Sequence, residues 1–411
     1  MRRAVLRFRL ILSGWLITLL LCLLEPFLVG SIPLYVCTNE GSQWPLLRRW
    51  ASRVGLSDAG PHDYDPQYWQ QLPVIYAFWP PIRYDPWQLD LSQPLQPPSG
   101  FSCFEKDSAL SHWLGTDPLG RDVSAGLMAG LNTGLGIAVS ALSIALVLGV
   151  LLGGAAGFWG NNGILLPWFA VLTLPLWVLV GWFWGFTVWE PAWQEAFRQG
   201  GPVLAFYLLA GICIFIGVVM SGTWIATKLN YLLVRNPRLI GFPLDTLVVR
   251  LAEAFTAFPR LLVLVALASV LQPGWWGVVL LIGLLWWPSL ARLYRNTLIS
   301  ETQKDYVLAA KALGYSPWRI LFRHIIPNTG GPVAVAIANG VAGIILAEAS
   351  LSFLGLGLPQ DQITWGRQLM MARQAPEAWW LSLFPTLCLI ALIALCNASA
   401  RYLEEKHHPL S

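Results

Sequence analysis

Eight apolar runs alternate with polar segments along the chain, at about Leu10–Ile32, Thr133–Phe158, Ile164–Val188, Val203–Thr227, Leu247–Leu271, Trp275–Leu298, Val333–Phe353 and Trp379–Ala400. A helix of about 20 apolar residues crosses a hydrocarbon layer roughly 30 Å thick, so each run predicts one span of an all-α polytopic membrane protein. Set between the sixth and seventh runs is a polar, basic stretch, Ser300–Asn328.

That stretch carries helix punctuation. Ser300-Glu301-Thr302-Gln303 reads as a capping box, opening a helix that runs through Leu313 and stops at Gly314, a left-handed C′ residue. Ser316 and Pro317 restart it as N-cap and first helical residue, and the second helix is predicted to end before Pro327. Ala309, Ala310 and Ala312 leave one side of the first helix bare enough for another backbone to approach. Apolar Ile320, Leu321, Phe322 and Ile325 can anchor the second helix to the bundle or to a partner. Ordinary connections take two to eight residues; a capped insertion this long predicts a docking knob rather than a solvated connector.

Composition supports the membrane reading. Only 12% of the 411 residues are charged and 56% are hydrophobic, against about 25% charged in soluble domains. The net charge of +4 gives no reason to expect nucleic acid as a partner. The distribution of basic residues matters more. Arg2, Arg3, Arg7 and Arg9 precede the first run, Lys228, Arg235 and Arg238 follow the fourth, and Arg292 and Arg295 end the sixth. The positive-inside rule then puts both termini and the 300–328 stretch in the cytoplasm. The first run is too long for a signal-peptide core and is kept as a span.

The expected organisation is a cytoplasmic N-terminus and first span (1–32), an extracytoplasmic cap without regular period (33–130), a polytopic membrane domain (131–405) and a tail (406–411). Residues 164–227 form a hairpin within the membrane domain, entering and leaving on the cytoplasmic side. In the cap, Cys37 and Cys103 either form a disulfide or remain two thiols. At its end lie Gly115, Thr116, Asp117, Pro118, Leu119, Gly120, Arg121 and Asp122, with Asp117 read as an N-cap and Val123–Leu131 as a short surface helix before the second span. Spacing supports no metal site in this segment.

No GxxxxGK[ST], HExxH or GxSxG motif is present, so neither P-loop ATP hydrolysis nor a familiar hydrolytic site is expected in the chain. An ion-coupled secondary transporter would show paired broken helices in symmetric halves, and the polar insertion occurs once. The charges inside spans, Arg250, Glu253 and Glu348, either line a pathway or pair between helices.

DYVLAAKALGYSPWRILFRHIIPN resembles the coupling loop of ATP-binding-cassette importer permeases, closely the dipeptide/oligopeptide/nickel branch. HWLGTDPLGRDV, DTLVVRLAEAFTAFP and AEASLSFLGLGLP are similar to the same branch, and FWPPIRYDPWQLDL to its microcin C subgroup. The resemblance implies a type I importer transmembrane subunit that moves peptides or peptide-like solutes, with nickel or another small ligand as the alternative cargo. It implies a second permease, two ATPases that hold ATP and magnesium, and an extracytoplasmic solute-binding protein in a bacterial inner membrane. It also implies an ATPase-coupling role for Tyr306, Ala309, Ala310, Gly314, Ser316, Pro317, His324 and Pro327, and an interfacial role for Gly115, Asp117, Gly120, Arg121 and Asp122. Two departures stand out: Leu308 replaces the family's Glu, and the 164–227 hairpin adds two spans to the usual six.

Overall fold

A computed structural model describes residues 2–38, 41–53, 75–98, 112–199, 201–234, 238–271, 274–359 and 362–407. Helix α1 (Arg2–Leu28) leads to strands β1 (Tyr35–Thr38) and β2 (Gly41–Gln43), helix α2 (Pro45–Arg53) and strand β3 (Tyr76–Phe78). Helix α3 (Val123–Trp159) is followed by β4 (Leu165–Pro167), α4 (Trp168–Trp182, continued by a π-helical turn at Phe183–Thr187), α5 (Glu190–Gln199), α6 (Gly201–Leu233) and β5 (Leu239–Gly241). Then come α7 (Leu244–Thr256), α8 (Arg260–Leu271), α9 (Trp275–Thr302), α10 (Asp305–Ala312), α11 (Pro317–Ile320), α12 (Gly330–Phe353), α13 (Trp365–Gln374) and α14 (Trp379–His407). Seven helices among the described residues are long and apolar enough to cross a membrane, and α7 with α8 make an eighth if counted as one span. The chain divides into two compact units: Met1–Gly136, Glu348–Gly355 and Gln360–Ala398 in the first, and Ile137–Ala347, Leu356–Pro359 and Ser399–Ser411 in the second.

In the first unit, the cap is less irregular than its sequence suggests. β1 pairs antiparallel with both β2 and β3, and Ile32 and Val36 pack under Ala77 and Trp79. Alternating small and aromatic residues hid this short sheet among prolines. Cys103, the suggested partner of Cys37, lies outside the described residues. A separate core joins Val123 to Ala375, Ala378, Trp380 and Leu381. The short surface helix expected at Val123–Leu131 is not separate, because α3 runs unbroken for 37 residues. That is about 55 Å of helix, well beyond a bilayer's hydrocarbon thickness. The polar pair where the break was expected is satisfied in place: Thr133 Oγ1 donates to the Ala129 carbonyl at 3.0 Å and Asn132 Nδ2 to Glu25 Oε2 at 2.8 Å. With no proline or orphaned polar group there, nothing ends the helix.

In the second unit, α4 with its π turn and α6 fold into the expected hairpin. The backbones meet closely at Gly185 and Gly211, where a Cβ on Gly185 would come within 2.7 Å of the Gly211 carbonyl oxygen. β4 and β5 pair antiparallel, Leu165 opposite Gly241, so the inserted segment is closed at its base. The fifth span is broken: α7 and α8 meet at 74° across Ala257–Pro259. Proline 259 explains the stop, since it disfavours helix at the residue before it. α9 lies on the small-residue face of α3, where a Cβ on Gly153 would fall 2.3 Å from the Ala291 carbonyl oxygen.

Candidate functional site

The knob between the sixth and seventh spans belongs to the second unit and departs from its sequence reading at both ends. Ser300 opens no helix, because α9 continues through it to Thr302. Glu301, buried at the turn, accepts from Lys304 Nζ at 2.6 Å and from Tyr306 Oη at 2.7 Å. Burial raises the Tyr306 phenol above its ordinary pKa, and the bond to Glu301 adds to the rise. α10 starts at Asp305 without a side-chain cap; its acid in the first turn and Lys311 in the last suit the helix dipole.

Its end matches the sequence reading, one residue short. Gly314 has φ +73°, its N–H donates to the Lys311 carbonyl at 3.0 Å, and the Tyr315 N–H reaches back to Ala310 at 3.2 Å. Those two bonds are the Schellman pattern. Ser316 Oγ then accepts from the Arg319 N–H at 3.3 Å, with Pro317 as the first residue of α11. The expected stop before Pro327 does not occur. The path continues through a π turn at Leu321–Ile325 and a further turn at Ile326–Asn328 that contains Pro327. A proline in helix clashes with the carbonyl four residues back, and the wider π turn accommodates it.

Burial sorts the knob into a base and a tip. Val307, Ala310, Ile320, Leu321 and Ile325 close a core with Tyr294 and Leu298 of α9. Ala310 therefore belongs to the inside of the knob, not to the bare side expected for it, whereas Ala309 is exposed. The tip presents Leu308 (51% exposed), Leu313 (71%), Trp318 (54%) and Phe322 (62%). Phe322, expected as an anchor, stacks on Trp318 with ring centres 5.8 Å apart. Arg319 sits 4.3 Å over the Tyr315 ring, and His324 stacks on the same ring with centres 6.0 Å apart. A Cβ added to Gly314 would meet nothing within 4 Å. The knob is a packed base carrying an exposed apolar tip, of which Trp318 also meets Trp159 of α3 edge-on with ring centres 5.6 Å apart.

The interfacial motif belongs to the first unit and has the opposite character. Asp117 is not a helix N-cap: its Oδ1 accepts from the Leu119 and Arg121 N–H groups at 2.8 and 2.9 Å, and its Oδ2 from Arg121 Nε at 2.7 Å. The cap of α3 is Asp122, whose Oδ1 accepts from the Ala125 N–H at 2.8 Å. Its other oxygen pairs with buried His112 Nδ1 at 2.8 Å, and His112 stacks on Tyr84 with ring centres 4.0 Å apart. Burial, then the charges of Asp122 and Asp90, push the Tyr84 phenol up to about 12. Gly115 and Gly120 take φ +83° and +73°, and the Gly115 carbonyl accepts from the Val123 N–H at 3.1 Å. Trp380 Nε1 donates to the Thr116 carbonyl at 3.1 Å. Sequence singled out the motif, but not the long-range partners that fill it.

Each of the three intramembrane charges has a partner on its own helix. Glu348 is buried in the first unit and accepts from Ser352 Oγ at 2.7 Å. Arg250 and Glu253 pair with each other at 3.0 Å on the exposed face of α7. Two contacts went unnoticed in sequence: Asp245 with Arg295, and Arg260 with Ser289. Charged and hydroxyl partners 29 or 50 residues apart leave no local pattern.

A family model described as "binding-protein-dependent transport system inner membrane component" matches residues 232–408. A Brucella ovis protein named provisionally as a peptide permease is 30% identical over 254 residues, covering 59% of this chain and 82% of its own. A Brucella suis protein named provisionally as a peptide transport system permease is 38% identical over 142 residues, 34% and 48% of the two chains. The dipeptide transport system permease protein DppC of Alkalihalophilus pseudofirmus is 31% identical over 187 residues, 45% and 59%.

Proposed function

The chain belongs to the family of binding-protein-dependent transport system inner membrane components, and on that premise we propose that it is the permease subunit of an ATP-driven importer for peptides or peptide-like solutes. Both termini and the knob face the cytoplasm, and the 33–130 cap faces outward. A second permease completes the pathway, two ATPase chains bind ATP with magnesium and carry out hydrolysis, and an extracytoplasmic binding protein delivers cargo.

The observation that carries this reading is the tip of the knob, four large apolar side chains on a packed base. An apolar patch of this kind marks a protein contact. Gly314 keeps the turn between the two knob helices open to close approach. ATP-driven closure of the ATPases would move the knob and α9 as one body, because Tyr294 and Leu298 of α9 are part of the knob's core. The names of the relatives support peptides as cargo.

Uptake of labelled di-, tri- and longer peptides by cells expressing the whole transporter tests the cargo, with nickel uptake as the parallel arm. Peptide uptake that disappears on deletion of this chain and returns on its re-expression is expected. Restored nickel uptake without peptide uptake would replace the cargo while leaving the permease assignment in place.

A further inference from the structure

The broken span is tied to α9 by polar contacts on both sides of its break. On the near side, Asp245 in the first turn of α7 accepts both Nε and Nη2 of Arg295, the latter at 2.6 Å. The α7 N-terminus is held further by Asn161 Oδ1, which accepts from the Thr246 N–H at 3.0 Å. On the far side, Arg260 opens α8, donates from Nη2 to Ser289 Oγ, and lies 4.9 Å over the Trp286 ring. A guanidinium within a span is costly unless it is paired, and a planar cation over indole with a hydroxyl acceptor is a specific partner set.

Both latches fall on one helix, and that helix is the one fused to the knob. Arg295 lies one residue beyond Tyr294, which packs into the knob's core. Ser289 follows Pro288, which sits inside α9 and deprives the helix of one backbone bond at that level. Between the latches, Ala257–Pro259 forms the 74° break. α9 therefore holds the broken span on both sides of its break, and Phe255, just before the break, packs edge-on against Trp287 with ring centres 5.6 Å apart.

We propose that Arg260, together with the Asp245–Arg295 pair, is a positioning residue that makes the break at Ala257–Pro259 follow the movement of α9, so that α7–α8 acts as the moving gate segment of the permease. This rests on the proposed coupling of the knob to an ATPase. When α9 shifts, the bidentate pair carries α7 and the Ser289–Trp286 seat carries α8, and the angle between them changes. Arg250 and Glu253, on the exposed face of α7, move with the gate without holding it.

The test uses the assembled transporter with spin labels at Leu247 and Val270, exposed positions on α7 and α8, in a background lacking the native cysteines. The unaltered transporter is expected to change its label-to-label distance when ATP is trapped. Arg260→Ala should retain co-purification of the ATPase, lose the distance change, and take up about tenfold less substrate per ATP hydrolysed. Arg260→Lys, which keeps the charge without the planar seat, should fall between. Ser289→Ala, a mild change, should weaken the response in the same direction and guards against misfolding of the alanine variant. An unaltered transporter with no distance change, or an Arg260→Ala variant that keeps it, overturns the proposal. Failure of any ATPase to co-purify with the unaltered chain would overturn the permease reading, and this proposal with it.

Discussion

Gly120 and Gly314 share a left-handed φ of +73° in two polar segments that solve opposite problems. A Cβ on Gly120 would lie 1.8 Å from the Asp90 carbonyl oxygen, whereas a Cβ on Gly314 would meet nothing within 4 Å. The first glycine is required because chain already occupies the space, and the second leaves the space free. The same contrast runs through their surroundings. The interfacial motif spends its carboxylates on its own backbone, on Arg121 and on His112. The knob buries its aliphatic base and leaves four large apolar residues outside. A self-satisfied polar network makes a platform; an exposed apolar tip on a packed base makes a plug.

The contrast breaks most visibly at the two glycines. Gly120→Ala should cost about 4 kcal/mol, combining the left-handed backbone with a steric clash against a main-chain carbonyl. Gly314→Ala should cost only about 1–2 kcal/mol, from backbone conformation alone. Thermal unfolding of the purified chains in detergent reads the difference; equal losses would remove the distinction. Next, Leu313→Ala, at a position 71% exposed, should leave thermal stability close to unchanged and weaken association with the ATPase by about 2 kcal/mol, as for a contact hot spot. A large stability loss with unchanged association would make the tip part of the fold instead.

Smaller effects sharpen the same division. Tyr306→Phe removes the hydroxyl that donates to buried Glu301, and should lower stability by about 1 kcal/mol. The weakest effect belongs to Tyr84 in the platform. Its phenol pKa rises on folding from 10.0 to about 12, so the folded chain holds this proton more tightly than the unfolded one. The stability it contributes is complete below pH 10 and is lost as pH rises towards 12. Alkaline unfolding should therefore be less steep across that window in Tyr84→Phe.

Much of this was legible in sequence, for identifiable reasons. Apolar run length revealed the spans because the bilayer sets a single length scale. Gly314, Ser316 and Pro317 revealed the turn of the knob because each acts within four residues of itself. Local signals misled where a neighbour competed. Ser300 has the form of a cap, but Glu301 is satisfied from beyond the turn by Lys304 and Tyr306, and the helix carries on. Asp117-Pro118 has the form of a helix start, but Asp122 five residues later has the free N–H group to cap. Ala310 looked like part of a bare face until the π turn rotated Leu321 and Ile325 against it. Arg260 with Ser289 and Asp245 with Arg295 could be seen only once the spans were packed.

The proposed coupling role requires an ATPase to complete the tip of the knob. Co-purification of the ATPase with the Gly314→Asp permease, measured beside uptake in the same membranes, tests it most directly. Gly314 stands in open space, and Asp tolerates the left-handed region better than most residues, so the variant should insert and fold. A normal amount of inserted permease, loss of most bound ATPase and loss of uptake are expected. Full ATPase binding with normal uptake in that variant would contradict it.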